Sequence, residues 1–484
     1  MKLYNTLTRS IENFVPVVDT NVGVYACGPT VYDFAHLGHL RKYTMDDLLV
    51  RVLRQQGYNV THVQNITDVG HLVSDGDTGE DKMEKGAKKY GKTVWEIAAE
   101  FEAFFWKGLD LLGVIRPDIS CKATDHIPEQ IELITRLEKK GFTYTLEDGV
   151  YFDTSKFPSY GDLAHIQIEE LKAGARVEMV AGKKQATDFA LWKFSPATEQ
   201  RQMEWDSPWG KGFPGWHIEC SAMAMKYLGE QFDIHTGGID HIPVHHTNEI
   251  AQAEAATGKH PFVRFWVHHN FLRVEGEKMS KSLGNFYTID DVIAKGFSPM
   301  ALKLLFYTSH YRSELNFTWK NLEASQTALQ RLIAILSGIT GQSDRDSLSE
   351  EKMEKISSYR SRFFDALLQD LDTPQAIAIV WEVLKSNIPG RDKVDLIQDF
   401  DSVLGLGISS LVTEYQNQLV TIPDSVKGLL EQRQKARLAK DFSTSDALRD
   451  QIAALGFVVQ DSPEGQFISA TVTPQGSGTE PTVK

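Results

Sequence analysis

Val22-Gly23-Val24-Tyr25-Ala26, Cys27-Gly28-Pro29, His36-Leu37-Gly38-His39 and Asn59-Val60-Thr61-His62-Val63-Gln64-Asn65-Ile66 decide the fold. The first run is apolar and strand-like, and it closes on a Gly-Pro turn signal. From 38 to 56 the apolar residues follow a helical period, and Gly57 supplies a C-terminal cap. The last run is rich in β-formers. Strand, helix and strand in that order read as a βαβ unit, the opening of a parallel sheet. His36 and His39 would then share one side of the first helical turn, where free N–H groups and the helix dipole favour anions. Gly38 removes a side chain that would block the close approach of a nucleotide. Chance remains an alternative for so short a motif.

Two further stretches fit the same sheet. Phe232-Asp233-Ile234-His235 reads as a short buried strand running into Thr236-Gly237-Gly238-Ile239-Asp240. Glycines and an aspartate at the carboxyl end of a strand suit the ribose of a nucleotide, with a plain strand-to-helix turn as the alternative. Lys278-Met279-Ser280-Lys281-Ser282 lies between Glu275-Gly276-Glu277 and Leu283-Gly284-Asn285, so a movable loop carries two lysines that suit phosphates. Cys27, Cys220 of Trp216-His217-Ile218-Glu219-Cys220, His245 and Glu249 are the ligand types that zinc accepts. His245 and Glu249 lie four apart in a segment, 245 to 256, that reads as one helix. No Cys-x-x-Cys pair marks the site, and spacing alone leaves open that both cysteines are small buried hydrophobes.

The rest of the chain sorts by texture. Asp75-Gly76-Asp77-Thr78-Gly79-Glu80-Asp81 resembles a calcium loop, but the twelfth position is Gly86, so it reads as a solvated acidic loop. A helix is expected over 94 to 112. From 118 to about 193, glycines and Pro158 break short β-like pieces, which suggests an insertion between two halves of the sheet domain. From 300 to about 430 the pattern is helical, with a start at Thr373-Pro374 and breaks at Gly338 and Pro389-Gly390, as in a bundle. A last unit, 427 to 460, carries Arg433, Lys435, Arg437, Lys440 and Arg449 as a candidate phosphate-binding patch. Pro, Gly, Ser and Thr dominate from 471 on, where disorder is expected.

Composition sets the bounds. The 484 residues are too many for one ordinary core, so two to four domains are expected. With 42% hydrophobic and 24% charged residues the chain reads as soluble and globular. No apolar run is long enough to span a bilayer, and the first residues lack the apolar core of a signal peptide. Three cysteines do not make a disulfide framework, and a cytoplasmic location is expected. The net charge of −14 argues against wholesale coating of nucleic acid but leaves room for a local basic surface.

Taken in order, these pieces resemble the cysteinyl-tRNA synthetases of class I. The resemblance runs from Asn5-Thr6-Leu7-Thr8 to Gly465. It rests on Tyr25-Ala26-Cys27-Gly28-Pro29-Thr30-Val31-Tyr32-Asp33 leading into His36-Leu37-Gly38-His39, and on Gly215-Trp216-His217-Ile218-Glu219-Cys220-Ser221-Ala222-Met223. The Lys278 to Asn285 loop, His310-Tyr311-Arg312-Ser313 and Lys440-Asp441-Phe442 complete it. Two places depart: Val69-Gly70-His71 follows Asn65-Ile66-Thr67-Asp68 where the family commonly carries acids, and Thr247 stands two places before Glu249 where an acid is common. Cys121 matches no family ligand and is taken as structural.

The resemblance implies an α/β fold, a Rossmann-type parallel-sheet catalytic domain with an inserted domain, followed by a helical bundle and a small C-terminal tRNA-binding module. Its expected parts are 1–117 and 196–265 as the two halves of the catalytic domain, 118–195 as the insertion and 266–318 as the signature-loop and stem-contact region. A helical anticodon-binding bundle over 319–420, an anticodon-recognition module over 421–468 and a disordered tail over 469–484 follow. It implies a cysteine–tRNA ligase that makes cysteinyl-adenylate from cysteine and ATP, then moves the acyl group to the 3′ end of tRNA(Cys). The implied zinc ligands are Cys27, Cys220, His245 and Glu249, one ion per chain, and ATP is expected to come with Mg2+. His36, His39, Lys278 and Lys281 would be the catalytic residues, with Gly38, Gly238, Asp240 and Lys281 at the nucleotide and Thr67, Trp216 and His235 at the amino acid. Glu249, as the hardest ligand, would be the loosest when cysteine arrives. A monomer with no membrane partner is implied. A ligase that joins cysteine to an amino sugar, and a catalytically silent relative, are the alternatives.

Overall fold

The computed structural model describes residues 1–70, 81–165, 182–196, 201–340, 348–420, 422–462 and 465–470. The acidic stretch 75–80 and the tail from 471 lie outside them. The chain divides into two compact units, one holding residues 1–286, 309–316 and 366–372, the other 287–308, 317–365 and 373–484.

In the first unit, β1 (Lys2–Asn5) and β2 (Ser10–Asn13) form an antiparallel hairpin. β3 (Asn21–Ala26), α1 (Leu37–Gln55) and β4 (Asn59–Ile66) are the βαβ unit read from the sequence. β3 and β4 pair in parallel from Asn21↔Asn59 to Ala26↔Gln64. α2 (Lys82–Tyr90), capped by the Asp81 carboxylate, and α3 (Val94–Leu111), opened by a Thr93–Glu96 capping box, come next. β5 (Ile119–Lys122) then pairs with β4. Its residues were expected in the insertion, but a four-residue strand carries too little alternation to announce itself. After α4 (Ile127–Lys139) the chain leaves the sheet.

The insertion is a separate antiparallel sheet in the order β6 (Thr143–Leu146), β7 (Gly149–Phe152), β8 (Phe189–Phe194), β9 (Gly212–Pro214). β9 lies beyond the boundary expected at 195, because its partner is β8 rather than a strand of the parallel sheet. The parallel sheet resumes after α5 (Trp216–Leu228) with β10 (Phe232–Gly238), and after α6 (Thr247–Thr257) with β11 (Val263–His269). Its order is β11-β10-β3-β4-β5. The chain therefore winds outward from β3 through β4 to β5, then crosses to β10 and winds outward again to β11. The switch lies between β3 and β10, and a doubly wound sheet binds ligands at the carboxyl ends of the strands there. Tyr25, Val63, Cys121, Trp192, Ile218, Met223, Phe232 and Trp266 share the core beneath that edge.

The second unit is largely helical, as expected, although the region read as helical throughout also contains β14 (Leu315–Phe317), most of which belongs to the first unit, in a sheet ordered β13 (Glu277–Lys278), β12 (Leu272–Val274), β14. Helices Trp319–Thr340, Glu350–Leu368, Thr373–Lys385, Gly390–Leu404 and Ile408–Val420 make the bundle. Phe363 stacks on Phe400 in its core, ring centres 3.9 Å apart. The last module joins helices Asp424–Leu438 and Phe442–Ala454 to a hairpin of β15 (Phe457–Ser462) and β16 (Gly465–Ala470).

That module alters the reading of its cations. Arg433 is fully buried and both of its terminal nitrogens reach Asp461, each at 2.7 Å. Arg437 and Arg449 donate to the same carboxylate, at 2.7 and 2.9 Å. Three of the five cations thus converge on one acid as a structural cluster, which leaves Lys435 and Lys440 exposed. A cation is free to meet phosphate only if no carboxylate of the fold holds it first.

Candidate active site

Cys27 follows β3 directly, with its amide donating to Thr236 O on β10 at 3.0 Å. Helix α1 fixes it from the other side: Lys42 Nζ and Tyr43 Oη donate to Cys27 O at 2.7 and 3.1 Å, and Asp46 holds Lys42 at 2.9 Å. Cys220 projects from α5. Thiol Cys27, thiol Cys220 and imidazole His245 bring one ligand atom each within 4.8 Å of one another. His245 does not open the α-helix as expected. It sits on a wider π-type turn, Ile242–His246, and α6 starts after it. The turn still aims His245 Nε2 at Glu249 Oε1, 3.0 Å away, and at Cys27 Sγ, 3.8 Å away.

All four side chains are buried. Of the two thiols Cys27 ionises first, because a hydrogen bond from Cys220 holds its pKa well below the usual thiol range, while that bond and burial push Cys220 up. Burial alone would lower His245, but Cys27 and Glu249 outweigh it and raise it to about 10. Two residues outside the expected ligand set orient the cluster. His217 Nδ1 meets His245 Nδ1 at 2.9 Å, which turns the other nitrogen inward. His235, expected at the amino acid, is fully buried and its Nε2 lies 2.9 Å from Glu249 Oε2. Trp216 borders the cluster, its ring 4.7 Å from that of His245. Thr67 packs at the Pro29 turn, its amide donating to Pro29 O at 3.0 Å and its hydroxyl accepting from Asn65 Nδ2 at 3.1 Å.

The first signature is a capping device. His36 Nδ1 accepts from the amides of Gly38 and His39 at 3.1 and 3.3 Å, and His39 Nδ1 accepts from His36 N at 3.2 Å. A side chain on Gly38 would crowd the His36 ring, since its Cβ would lie 3.0 Å from Nδ1. The rings stack with centres 3.7 Å apart. With each Nδ1 accepting, each neutral ring carries its proton on Nε2, which makes two N–H donors at a helix N-terminus. Burial lowers His36 to about 4, so it is neutral at physiological pH. Asp240, at the Gly238 turn, acts on His36 electrostatically, so the expected ribose turn and the first signature are neighbours.

The second signature is exposed. Lys278 ends β13 and Lys281 opens a short 3₁₀ turn, Lys281–Leu283. Lys281 ion-pairs with Asp33 and lies 5.0 Å over the Phe286 ring, whose centre is 5.4 Å from that of His36. Arg41 ties the helix to the strands around this loop by donating to the carbonyls of Asn270, Phe271, His310 and Ser313 at 2.8 to 3.1 Å. Among the described residues, no helix is long and apolar enough to cross a membrane.

Residues 13–327 match the family described as tRNA synthetases class I (C) catalytic domain, and residues 420–468 match the cysteinyl-tRNA ligase anticodon binding domain. The chain is 48% identical to Cysteine--tRNA ligase 1 of Burkholderia lata over 96% of each chain. It is 46% identical to Cysteine--tRNA ligase of Treponema denticola over 95% of this chain and 98% of that one. In fold it is similar to Mycobacterium tuberculosis methionyl-tRNA synthetase bound by methionyl-adenylate, at a TM-score of 0.55 and 14% identity over 83% of this chain and 93% of that one. It is also similar to Agrobacterium radiobacter K84 agnB2 LeuRS in its complex with tRNA and LeuAMS, at a TM-score of 0.59 and 12% identity over 83% and 85% of the two chains. A switch-point cleft with paired histidines at a helix start and lysines on a facing loop, in a chain so alike along its length, places this protein in one family: it belongs to the cysteine–tRNA ligases, ATP-dependent class I aminoacyl-tRNA synthetases that charge tRNA with cysteine.

Proposed function

We propose that the ligase selects its amino acid by sulfur chemistry, with zinc held by Cys27, Cys220, His245 and Glu249. The observation that carries this is the convergence of two buried thiols and an imidazole within 4.8 Å, with a buried carboxylate 3.0 Å from the imidazole. That donor set fits zinc and does not fit magnesium or calcium, which prefer oxygen ligands. Zinc bound there would supply a soft Lewis acid that favours a substrate thiolate over a hydroxyl. Cysteine and serine differ by one atom, and shape alone discriminates by about a hundredfold at most. Thr67 and Trp216 border the cysteine site, while His235 holds Glu249 in place.

For adenylate formation, His36 and His39 donate from Nε2 to phosphate oxygens of ATP, which comes with Mg2+. Gly38 and Gly238 leave room for the nucleotide, and Asp240 takes its ribose. Lys278 and Lys281 close over the β- and γ-phosphates. Attack of the cysteine carboxylate on the α-phosphate needs alignment and charge stabilisation more than covalent help, which is what neutral donors and mobile cations provide. Transfer to tRNA(Cys) uses the second unit. Phe442 is 61% exposed beside Lys440 in the module matched by the anticodon-binding domain, and an exposed aromatic with a cation at its side suits stacking of an unpaired base. A monomeric, cytoplasmic enzyme completes the reading. Elemental analysis of active protein, with cysteine and serine activation compared before and after chelation, tests it. Stoichiometric zinc and discrimination lost with the metal are expected; full discrimination in metal-free protein would sink the zinc reading and leave the ligase intact.

A further inference from the structure

Two imidazole nitrogens at the end of β10 make no hydrogen bond among the described residues. His241 Nδ1 and His246 Nε2 are both buried and unbonded. Both face one place. A Cβ on Gly237 would lie 2.9 Å from His241 Nδ1, 2.8 Å from His246 Nε2 and 2.3 Å from His246 Cε1, so the missing side chain lets both rings close over the glycine backbone. Cys27 Sγ completes the group, with one atom from each of the three residues within 4.8 Å of the others.

The rest of the chain prepares His246 for a ligand. Its Nδ1 meets His268 Nε2 at 2.7 Å, and His268 Nδ1 meets Thr6 Oγ1 at 2.7 Å. In the tautomer whose Nδ1–H donates to His268, His246 Nε2 keeps its lone pair for a ligand. The nearest acid, Glu249 Oε1, is 3.9 Å from that nitrogen, too far for a hydrogen bond. His235, His246 and Glu249 form a rival group, but His235 is already committed to Glu249 at 2.9 Å. A thiol and two imidazoles make a soft to borderline donor set, suited to zinc and cobalt(II) and poor for magnesium.

We propose that Cys27, His241 and His246 form a second site for a zinc-class cation, which shares the Cys27 thiolate with the first. The inference rests on the zinc reading above only through that shared thiolate. Trp216 borders both sets, its ring 4.7 Å from that of His245 and 6.4 Å from that of His241, so an ion held by His241 stands beside the wall proposed for the substrate. Excess zinc then binds in a second, weaker step and blocks cysteine activation.

The test titrates the full-length protein with zinc alone, and in parallel with cobalt(II), whose thiolate absorption reports each step. Wild type should take up about two equivalents and His241→Leu about one, with inhibition of cysteine-dependent ATP–pyrophosphate exchange by excess zinc weakened at least about tenfold in the variant. Gly237→Ala, whose methyl group would push the His246 ring aside without removing a donor, should also lose the second equivalent. Wild-type stoichiometry and wild-type inhibition in both variants would overturn the second site. Cys220→Ser separates the two readings, because it removes a donor of the first set only. If that variant keeps full stoichiometry while His241→Leu loses one equivalent, the first site has failed and the second stands.

Discussion

At the thiol end of the cleft, Cys27, Cys220, His245 and Glu249 are all buried and arrive from four separate elements, whereas at the phosphate end Lys278 and Lys281 stand exposed on one loop. The first group is fixed before any ligand comes. Its backbone is pinned by Lys42 and Tyr43, and its side chains are oriented by His217 and His235. In the second, the Lys281 side chain is held by a surface ion pair to Asp33 and by contact with Phe286. The difference matches the roles proposed above, sulfur recognition at one end and phosphate contact at the other. Sulfur and oxygen must be told apart in the ground state, which needs a rigid donor set. Phosphoryl charge develops only in the transition state, and cations that close late act where that charge appears.

Removing a fixed donor should therefore do most damage. Zinc held by four ligands gains up to about 16 kcal/mol, or about 4 kcal/mol for each, so Cys220→Ser should weaken the tightly held metal on the order of a thousandfold. Metal content after dialysis against a mild chelator checks this; full zinc in the variant would show that the cluster is a core feature and not a ligand set. Lys281→Ala should be the mirror image. Adenylate formation should fall about a hundredfold with cysteine binding near wild type, because the loop acts on the transition state. Equal losses in both would make the exposed loop part of ground-state binding and erase the contrast.

How far the sequence foretold these two ends also differs. The βαβ opening was legible because β3, α1 and β4 are local, with Gly57 ending the helix. The ligands were nameable as residue types, and Lys278 and Lys281 as a loop. What stayed hidden was non-local. The strand β10 runs on through Thr236, Gly237 and Gly238, which read as a turn until their pairing with β11 is seen. β5 was assigned to the insertion because only its ladder with β4 identifies it. Arg433 read as part of a candidate phosphate-binding patch, and it is instead buried and paired with the distant Asp461. His217 and His246 acquire roles only from the far-off groups they meet, His245 and His268.

The module matched by the anticodon binding domain should be separable from both ends of the cleft. Phe442→Ala removes an exposed ring, and one stacked base contributes about 2 kcal/mol, so kcat/KM for tRNA charging should fall roughly thirtyfold. Cysteine-dependent ATP–pyrophosphate exchange should be unchanged. A loss of exchange would mean that the substitution had disturbed the fold, while charging at the wild-type rate would remove Phe442 from the tRNA surface. Arg433→Met is the contrasting change: it strips a buried cation from Asp461 and should lower stability rather than tRNA affinity alone.

The smallest effect bears most directly on the loop. Asp33 and Lys281 are both partly exposed, with 26% and 49% of their side chains accessible, and such ion pairs contribute at most about 1 kcal/mol. In the ligand-free protein this carboxylate holds the ammonium group that is proposed to meet the phosphates of ATP. Asp33→Asn removes the competitor but keeps the shape, so KM for ATP should fall about two- to fivefold, as the pair's ~0.4–1 kcal/mol no longer opposes closure. The advantage should shrink in high salt, which screens the pair in wild type. If KM for ATP rises instead, Asp33 guides the lysine to its working position, and the phosphate end is more prearranged than its exposure suggests. If neither KM nor its salt dependence moves, the ion pair has no part in closure and the lysine is held by Phe286 alone.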